Sequence, residues 1–158
     1  MLAEHGLHFE LLARTSAQYK CAADLVAQAP KNLTIVMEHV GGANMTNASE
    51  FGIWKTYMET LAGHPNVMAK ISGVPERAVG PYRKFDDWSQ AQVEPYINAV
   101  IEAFGSDRIV FGGNWFVVTR FSTFNRWTDV LSKIIANMTA ADQKKFLQTN
   151  AQRVYRVA

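Results

Sequence analysis

A chain of 158 residues normally makes one domain, and 48% hydrophobic content with nine Phe, five Tyr and four Trp is ample for a packed core. Sixteen basic against fourteen acidic residues leave a net charge of +2, scattered rather than in runs, which argues against a nucleic-acid surface. The single cysteine, Cys21, excludes an internal disulfide, fits a reducing, cytoplasmic setting and reads as a small apolar residue on a helix; no secretory leader pattern opens the chain, and no apolar stretch nears the ~20 residues that cross a bilayer.

The first predicted strand is the mainly apolar Leu7 to Ala13, broken by Arg14-Thr15-Ser16. A helix follows from about Gln18 to Ala29, with Ala22, Leu25, Val26 and Ala29 on one face and Pro30 closing it. The second strand, Leu33 to Glu38, leads through the loop Gly41 to Asn47 into a helix from Ser49 to Ala62, whose inner face carries Trp54, Met58 and Leu61. The third, Val67 to Ile71, precedes a long connection, Gly73 to Asp87, and then a helix from Ser89 to Phe104 with Val93, Ile97, Val100, Ile101 and Phe104 at helical intervals. The fourth, Ile109 to Phe111, is followed by a loop to Ser122 and a helix through Trp127, Val130, Leu131, Ile134 and Ile135. A last helix begins at Thr139, three before Asp142 as in a capping box, and a short turn from Ala151 to Tyr155 closes the pattern.

Strands each followed by a helix require a parallel sheet, because parallel neighbours need crossover connections. With no linker or low-complexity segment, residues 1–158 read as one domain. Four such units make half of an eight-stranded TIM-like barrel, and an open half leaves two sheet edges unpaired. A flavodoxin-like doubly wound sheet is the alternative; it needs helices on both faces and usually a phosphate-cradling turn, and no G-x-G-x-x-G or P-loop pattern is present.

In such folds ligands lie beyond the carboxyl ends of the strands. Three apolar runs stop there at a polar residue beside glycine, which nominates His39, Ser72 and Asn114. His39 could bind metal, donate to a carbonyl oxygen or shuttle a proton, or simply hydrogen-bond a loop. Lys70 and Ser72 flank Ile71 and point to one side, so that one reaches the site and the other ends the strand. Ser72 lacks the elbow of a nucleophile. Asn114 can orient a water or donate to an oxyanion but cannot act as a general base; the alternative is a turn Asn bonded to its own backbone. Trp115 reads as a wall of the pocket. His5, His8 and His64 lie at the wrong ends of their strands and read as surface residues.

The segments Thr34-Ile35-Val36-Met37-Glu38-His39-Val40-Gly41, Pro65 through Gly73, Phe104 through Trp115 and Asn150 through Tyr155 resemble, in order and spacing, the second half of amidohydrolase-related proteins, with the sugar-lactone and dicarboxylate-lactone hydrolases as the nearest likeness. The resemblance covers nearly the whole chain. It implies a distorted barrel of which this chain supplies the fifth to eighth strands. Within it, His39 is similar to the sixth-strand histidine that contacts metal or the lactone carbonyl, and Asn114 falls where the family most often places an aspartate that activates water.

The His-x-His pair of the family's first strand has no counterpart here, and Leu11 to Thr15, where a further histidine often stands, contains none. Catalytic zinc ordinarily needs three protein ligands, so a divalent metal is expected only where another half supplies the rest, with none bound tightly by this chain. The resemblance implies cleavage of a lactone or related cyclic ester by activated water. His39 and Asn114 would carry the chemistry, with Lys70, Ser72, Trp115 and the loop arginines holding a small-molecule substrate. The alternatives are a metal-dependent decarboxylase of aromatic acids and a non-catalytic partner subunit or truncated product. Self-association or a complementary half barrel is the expected partnership, with neither nucleic acid nor membrane.

Overall fold

The computed structural model describes residues 1–80 and 84–157. Its centre is a parallel sheet of four strands in sequential order: β1 (Phe9–Leu11), β2 (Ile35–Met37), β3 (Val67–Ile71) and β4 (Ile109–Phe111). Phe9 aligns with Ile35, Ile35 with Val67, and Ala69 with Ile109. The order never reverses, as it must at the switch point of a doubly wound sheet, and so matches a barrel segment. β1 and β4 each have a strand neighbour on one side only among the described residues.

The crossovers are α1 (Ser16–Gln28), α2 (Phe51–Ala62), and α3 (Val74–Val79) followed by α4 (Gln90–Phe104). After β4 come α5 (Phe124–Ile134), α6 (Ala140–Lys144) and α7 (Asn150–Tyr155), the last two joined by a π-turn over Lys145–Thr149. Side-chain oxygens of Thr15, Ser89 and Thr123 accept the N–H three residues on, each cap contributing about 1 kcal/mol to its helix start.

Residues alternate across the sheet. Ile35, Met37, Val67, Ala69, Ile71 and Ile109 are buried beneath helices whose inner faces present Val26, Trp54, Leu61, Ile97, Val100 and Trp127. The opposite face carries Val36, Met68 and Val110, on which Ala151 and Val154 of α7 rest. That second layer explains why β3 reads as a nearly continuous apolar run, with Lys70 its one charged residue.

Several expectations change. Part of the connection Gly73 to Asp87 is the helix α3, with Pro75 in its first turn where the missing N–H does no harm; residues 81–83 of that connection lie outside the described residues. The segment Ala151 to Tyr155 is helical rather than a turn, and is anchored by the buried Asn150, whose amide donates to the carbonyls of Ser106 (2.8 Å) and Ile109 (2.7 Å). The strands expected at Leu7 to Ala13 and Leu33 to Glu38 are hydrogen-bonded only at their centres, because apolar flanks continue past the paired ladder. Leu25 and Cys21 face solvent, the buried residues of α1 being Tyr19, Ala22 and Val26. At Thr139 the cap is one-sided: Oγ1 accepts the Asp142 N–H (3.2 Å) and its hydroxyl donates to Oδ2 of the same residue (2.8 Å).

Candidate functional site

The carboxyl ends of β2, β3 and β4 open into two adjoining cavities that share His39 and Asn114. One, of about 310 Å³, is lined by Arg14, His39, Gly73, Glu76, Arg77 and Asn114 among others. The second, of about 320 Å³, adds Glu38, Lys70, Ser72 and Gly112, with Ala151 and Tyr155 of α7.

His39 leaves β2 with φ 52°, and Val40 follows with φ 54°. Such left-handed geometry costs on the order of 1–3 kcal/mol per non-glycine residue and persists only where neighbours over-determine it. Here the Trp54 indole donates to the Val40 carbonyl at 2.8 Å. Gly73 lies so close that a Cβ on it would stand 2.9 Å from the His39 ring. Gly42 is tighter still, since a Cβ there would stand 1.8 Å from the Ala13 carbonyl oxygen. The glycines flanking the polar stops are therefore close-approach positions that let the strand-end loops nest together.

His39 Nδ1 is 2.7 Å from the buried Ser72 hydroxyl and 3.5 Å from Glu38 Oε2. Burial, reinforced by the positive charges of Lys70, Arg14 and Arg77, pushes the imidazole down to about 4, so it is neutral at pH 7. Glu38 itself is pushed up to about 7 by burial and by its hydrogen bond with Glu10. Lys70 bridges the two carboxyls, ion-paired with Glu38 and 3.3 Å from Glu10. Burial opposes its charge, but the bonds to Glu38 and Tyr155 outweigh it and hold the ammonium above its usual range. The Tyr155 hydroxyl completes the chain at 2.9 Å from Glu10, and its ring lies under the ammonium, 5.0 Å from Nζ to centroid.

Asn114 also has positive φ, 48°, a conformation Asn tolerates better than most residues. Its side-chain amide does not fold back onto its own backbone. Nδ2 donates to Glu76 Oε1 at 2.7 Å, while Glu76 Oε2 is buried with no partner among the described residues. Burial raises the Glu76 carboxyl above its ordinary value. Arg77 is tied to the carbonyls of Ala43 (2.7 Å) and Gly42 (2.9 Å), which rivets α3 to the loop after β2.

His39, Lys70, Ser72 and Asn114 thus lie on one continuous cleft, with Lys70 and Ser72 both lining it. Trp115 does not: it is 71% exposed, outside both cavities, and meets the Phe124 ring edge-on at 6.4 Å between centroids. The sharp turn at Asn114 sends the next side chain outward. His8 bonds Glu10 at the opposite end of β1, and His64 sits in the turn before β3, both away from the cleft. Sequence reasoning missed Glu38 and Glu76. Glu38 ends the second predicted strand and carries no signal of its own beside His39, and Glu76 falls within the connection Gly73 to Asp87, although a carboxylate one turn beyond Ser72-Gly73 is a signal that strand-end logic can use.

A family model described as amidohydrolase matches residues 1–157. The chain belongs to the amidohydrolase family. It is 31% identical over 126 residues to the y4mH protein of Sinorhizobium fredii, covering 80% of this chain and 40% of that protein. It is 32% identical over 130 residues to an L-fucono-1,5-lactonase of Burkholderia ambifaria, covering 80% of this chain and 41% of that enzyme. A Burkholderia multivorans amidohydrolase solved with bound zinc superposes with a TM-score of 0.90 at 19% identity, over 99% of this chain and 55% of that one. The chain therefore spans less than half the length of these curated relatives. Its four parallel strand–helix units form half of a TIM-like barrel.

For a metal, the donors of this amidohydrolase chain fall short. His39 is the imidazole at the strand ends, Glu38 is engaged by Lys70, and Glu76 is bonded by Asn114. Among the described residues no three or more of His, Cys, Asp and Glu group as a metal site would require. No helix among the described residues is long and apolar enough to cross a membrane.

Proposed function

We propose that the chain is the C-terminal half, strands five to eight, of an amidohydrolase barrel that hydrolyses a lactone or related cyclic ester. The observation that carries this reading is the neutral His39 at the mouth of the sheet, with Nδ1 held 2.7 Å from Ser72. With the Ser72 hydroxyl donating to Nδ1, the other ring nitrogen carries the proton and donates to the lactone carbonyl oxygen as it becomes an oxyanion. Neutrality matters, since an imidazolium would be titrated away within the working pH range. A water held beside Asn114 attacks the carbonyl carbon, the ring C–O bond breaks, and the product is a hydroxy acid. Arg14 and Arg77 line the cavity with His39 and add positive charge suited to hydroxyl-rich or carboxylated substrates, while Lys70, held by Glu38 and Glu10, offers its ammonium as a fixed donor at the cleft wall. The likeness to a lactonase-named relative supports the substrate class.

In the same reading the open edges of β1 and β4 pair with strands of a complementary half barrel or of a second copy, and any zinc there takes its remaining ligands from that partner. The test is pH-stat turnover of aldonolactones by the chain alone and after mixing with an upstream half barrel. Saturable lactone opening that is lost in His39→Ala is expected. Carbon dioxide release from aromatic acids in its place, or no turnover in either form, would overturn the reading in favour of a decarboxylase or a non-catalytic subunit.

A further inference from the structure

We infer that Glu76, through its free carboxylate oxygen, holds and deprotonates the attacking water; this rests on the hydrolytic reading of the same cleft. The first link is chemical. Asn114 stands at the end of β4 facing the cavity, yet an amide has no basic site near neutral pH, so an activated water there needs another acceptor. The second is geometric. Glu76 lines the cavity with His39 and Asn114, and its Oε1 is the partner of Asn114 Nδ2 at 2.7 Å. That bond fixes the amide, because only an NH2 group can donate to a carboxylate, and leaves Asn114 Oδ1 turned away as a second acceptor. The third is an imbalance. Glu76 Oε2 is buried with no hydrogen-bond partner among the described residues, a condition that costs about 1–3 kcal/mol unless a donor fills it. Solvent barely touches Oε2 as the side chain stands, so water supplies that donor once the carboxyl group turns toward the cavity that Glu76 lines. Every other carboxylate on the cleft is committed elsewhere, Glu38 and Glu10 to Lys70.

The step balances without a co-reactant. The water oxygen bonds the carbonyl carbon while one of its protons passes to Glu76 Oε2, and the negative charge collects on the former carbonyl oxygen beside His39. As the tetrahedral centre collapses, the ring oxygen leaves and takes the proton from Glu76, which returns as carboxylate. Burial keeps this carboxyl more basic than an exposed glutamate, which suits it to accept a proton. α3 is short, and its place directly after Ser72-Gly73 delivers the carboxylate to the same opening as His39.

Two measurements test the assignment. A crystal structure of the wild-type chain at a resolution that shows solvent is expected to place an ordered water on Glu76 Oε2, on the His39 side; an Oε2 without water, or bonded to a protein group, overturns the inference whether or not any lactone is turned over. Where lactone turnover is measured, Glu76→Gln keeps an acceptor for Asn114 but no base. It is expected to lower kcat ~10²–10⁴-fold with KM changed by less than about threefold and to abolish the acid limb of the pH–rate profile. Unchanged kcat in a folded Glu76→Gln protein overturns the inference. If that variant does not fold, the water alone decides.

Discussion

The two ends of the sheet are both polar, and they use polarity in opposite ways. At the amino end, a cavity of about 300 Å³ is lined by His8, Asn66, Arg108, Arg153 and Arg156 among others. Its cations are bound to backbone: Arg108 donates to the carbonyls of Ala62 (2.9 Å), His64 (3.0 Å) and Val67 (3.3 Å), Arg153 to Asp107, and Arg156 to Gly6. At the carboxyl end the ionisable groups face one another, three non-glycine residues adopt positive φ, and a histidine and a glutamate are displaced from their ordinary titration ranges. Each end leaves one buried oxygen without a partner among the described residues, Asn66 Oδ1 below and Glu76 Oε2 above. An amide oxygen cannot take a proton and a carboxylate can. A polar cavity alone does not mark a site; strain, displaced titration and an uncommitted basic group set the carboxyl end apart.

The largest expected effect is at His39. His39→Ala should lower lactone turnover about 10²–10³-fold, the usual consequence of losing one oxyanion donor, while leaving the fold intact by circular dichroism. The same substitution changes the acid side of the stability curve. An imidazole held at about 4 in the folded chain against an ordinary 6.5 favours folding above pH 6.5, and that advantage disappears as pH falls towards 4. Urea denaturation should therefore show wild type losing stability relative to His39→Ala between pH 6.5 and 4, and parallel curves would mean that the ring is solvated.

At the other end a structural effect without a chemical one is expected. Asn150→Leu removes both amide bonds and strands the carbonyls of Ser106 and Ile109, which should cost about 2–3 kcal/mol in urea denaturation with kcat of the folded protein unchanged. A fall in kcat beyond about threefold would mean that the two ends are coupled through α7. The smallest and most diagnostic effect is at Asn114. Asn114→Asp sets a second carboxyl against Glu76, and two like charges at 2.7 Å cannot both ionise freely. One folded-state pKa rises, so stability relative to wild type should decline, by about 1 kcal/mol, as pH climbs from 5 to 8. A pH-independent difference would show that the two side chains are apart in solution.

Much of this was legible in the residues. β3 and β4 have the bounds their apolar runs predict, and the stops at His39, Ser72 and Asn114 meet at one cleft because parallel strands bring their carboxyl ends together. What was not legible is long-range. Glu38 and Lys70 are 32 residues apart and paired only by sheet register. Asn114 and Glu76 are 38 apart, and Glu76 lies on a helix of six residues, too short to leave a periodic signal. Trp115 looked like a pocket wall because aromatics beside glycine often are, and the positive φ of its neighbour turned it to solvent. α7 was read as a turn because its apolar residues, Ala151 and Val154, meet only the second face of the sheet.

The claim that the carboxyl end is the working end is tested most directly by a structure with a bound lactam analogue of an aldonolactone, whose ring resists hydrolysis. The analogue is expected between His39 and Asn114, with its carbonyl oxygen within hydrogen-bond distance of the His39 ring and its carbonyl carbon facing the Glu76 carboxylate. An analogue seated among Arg108, Arg153 and Arg156 at the amino end, with the strand-end cleft holding only solvent, would contradict it.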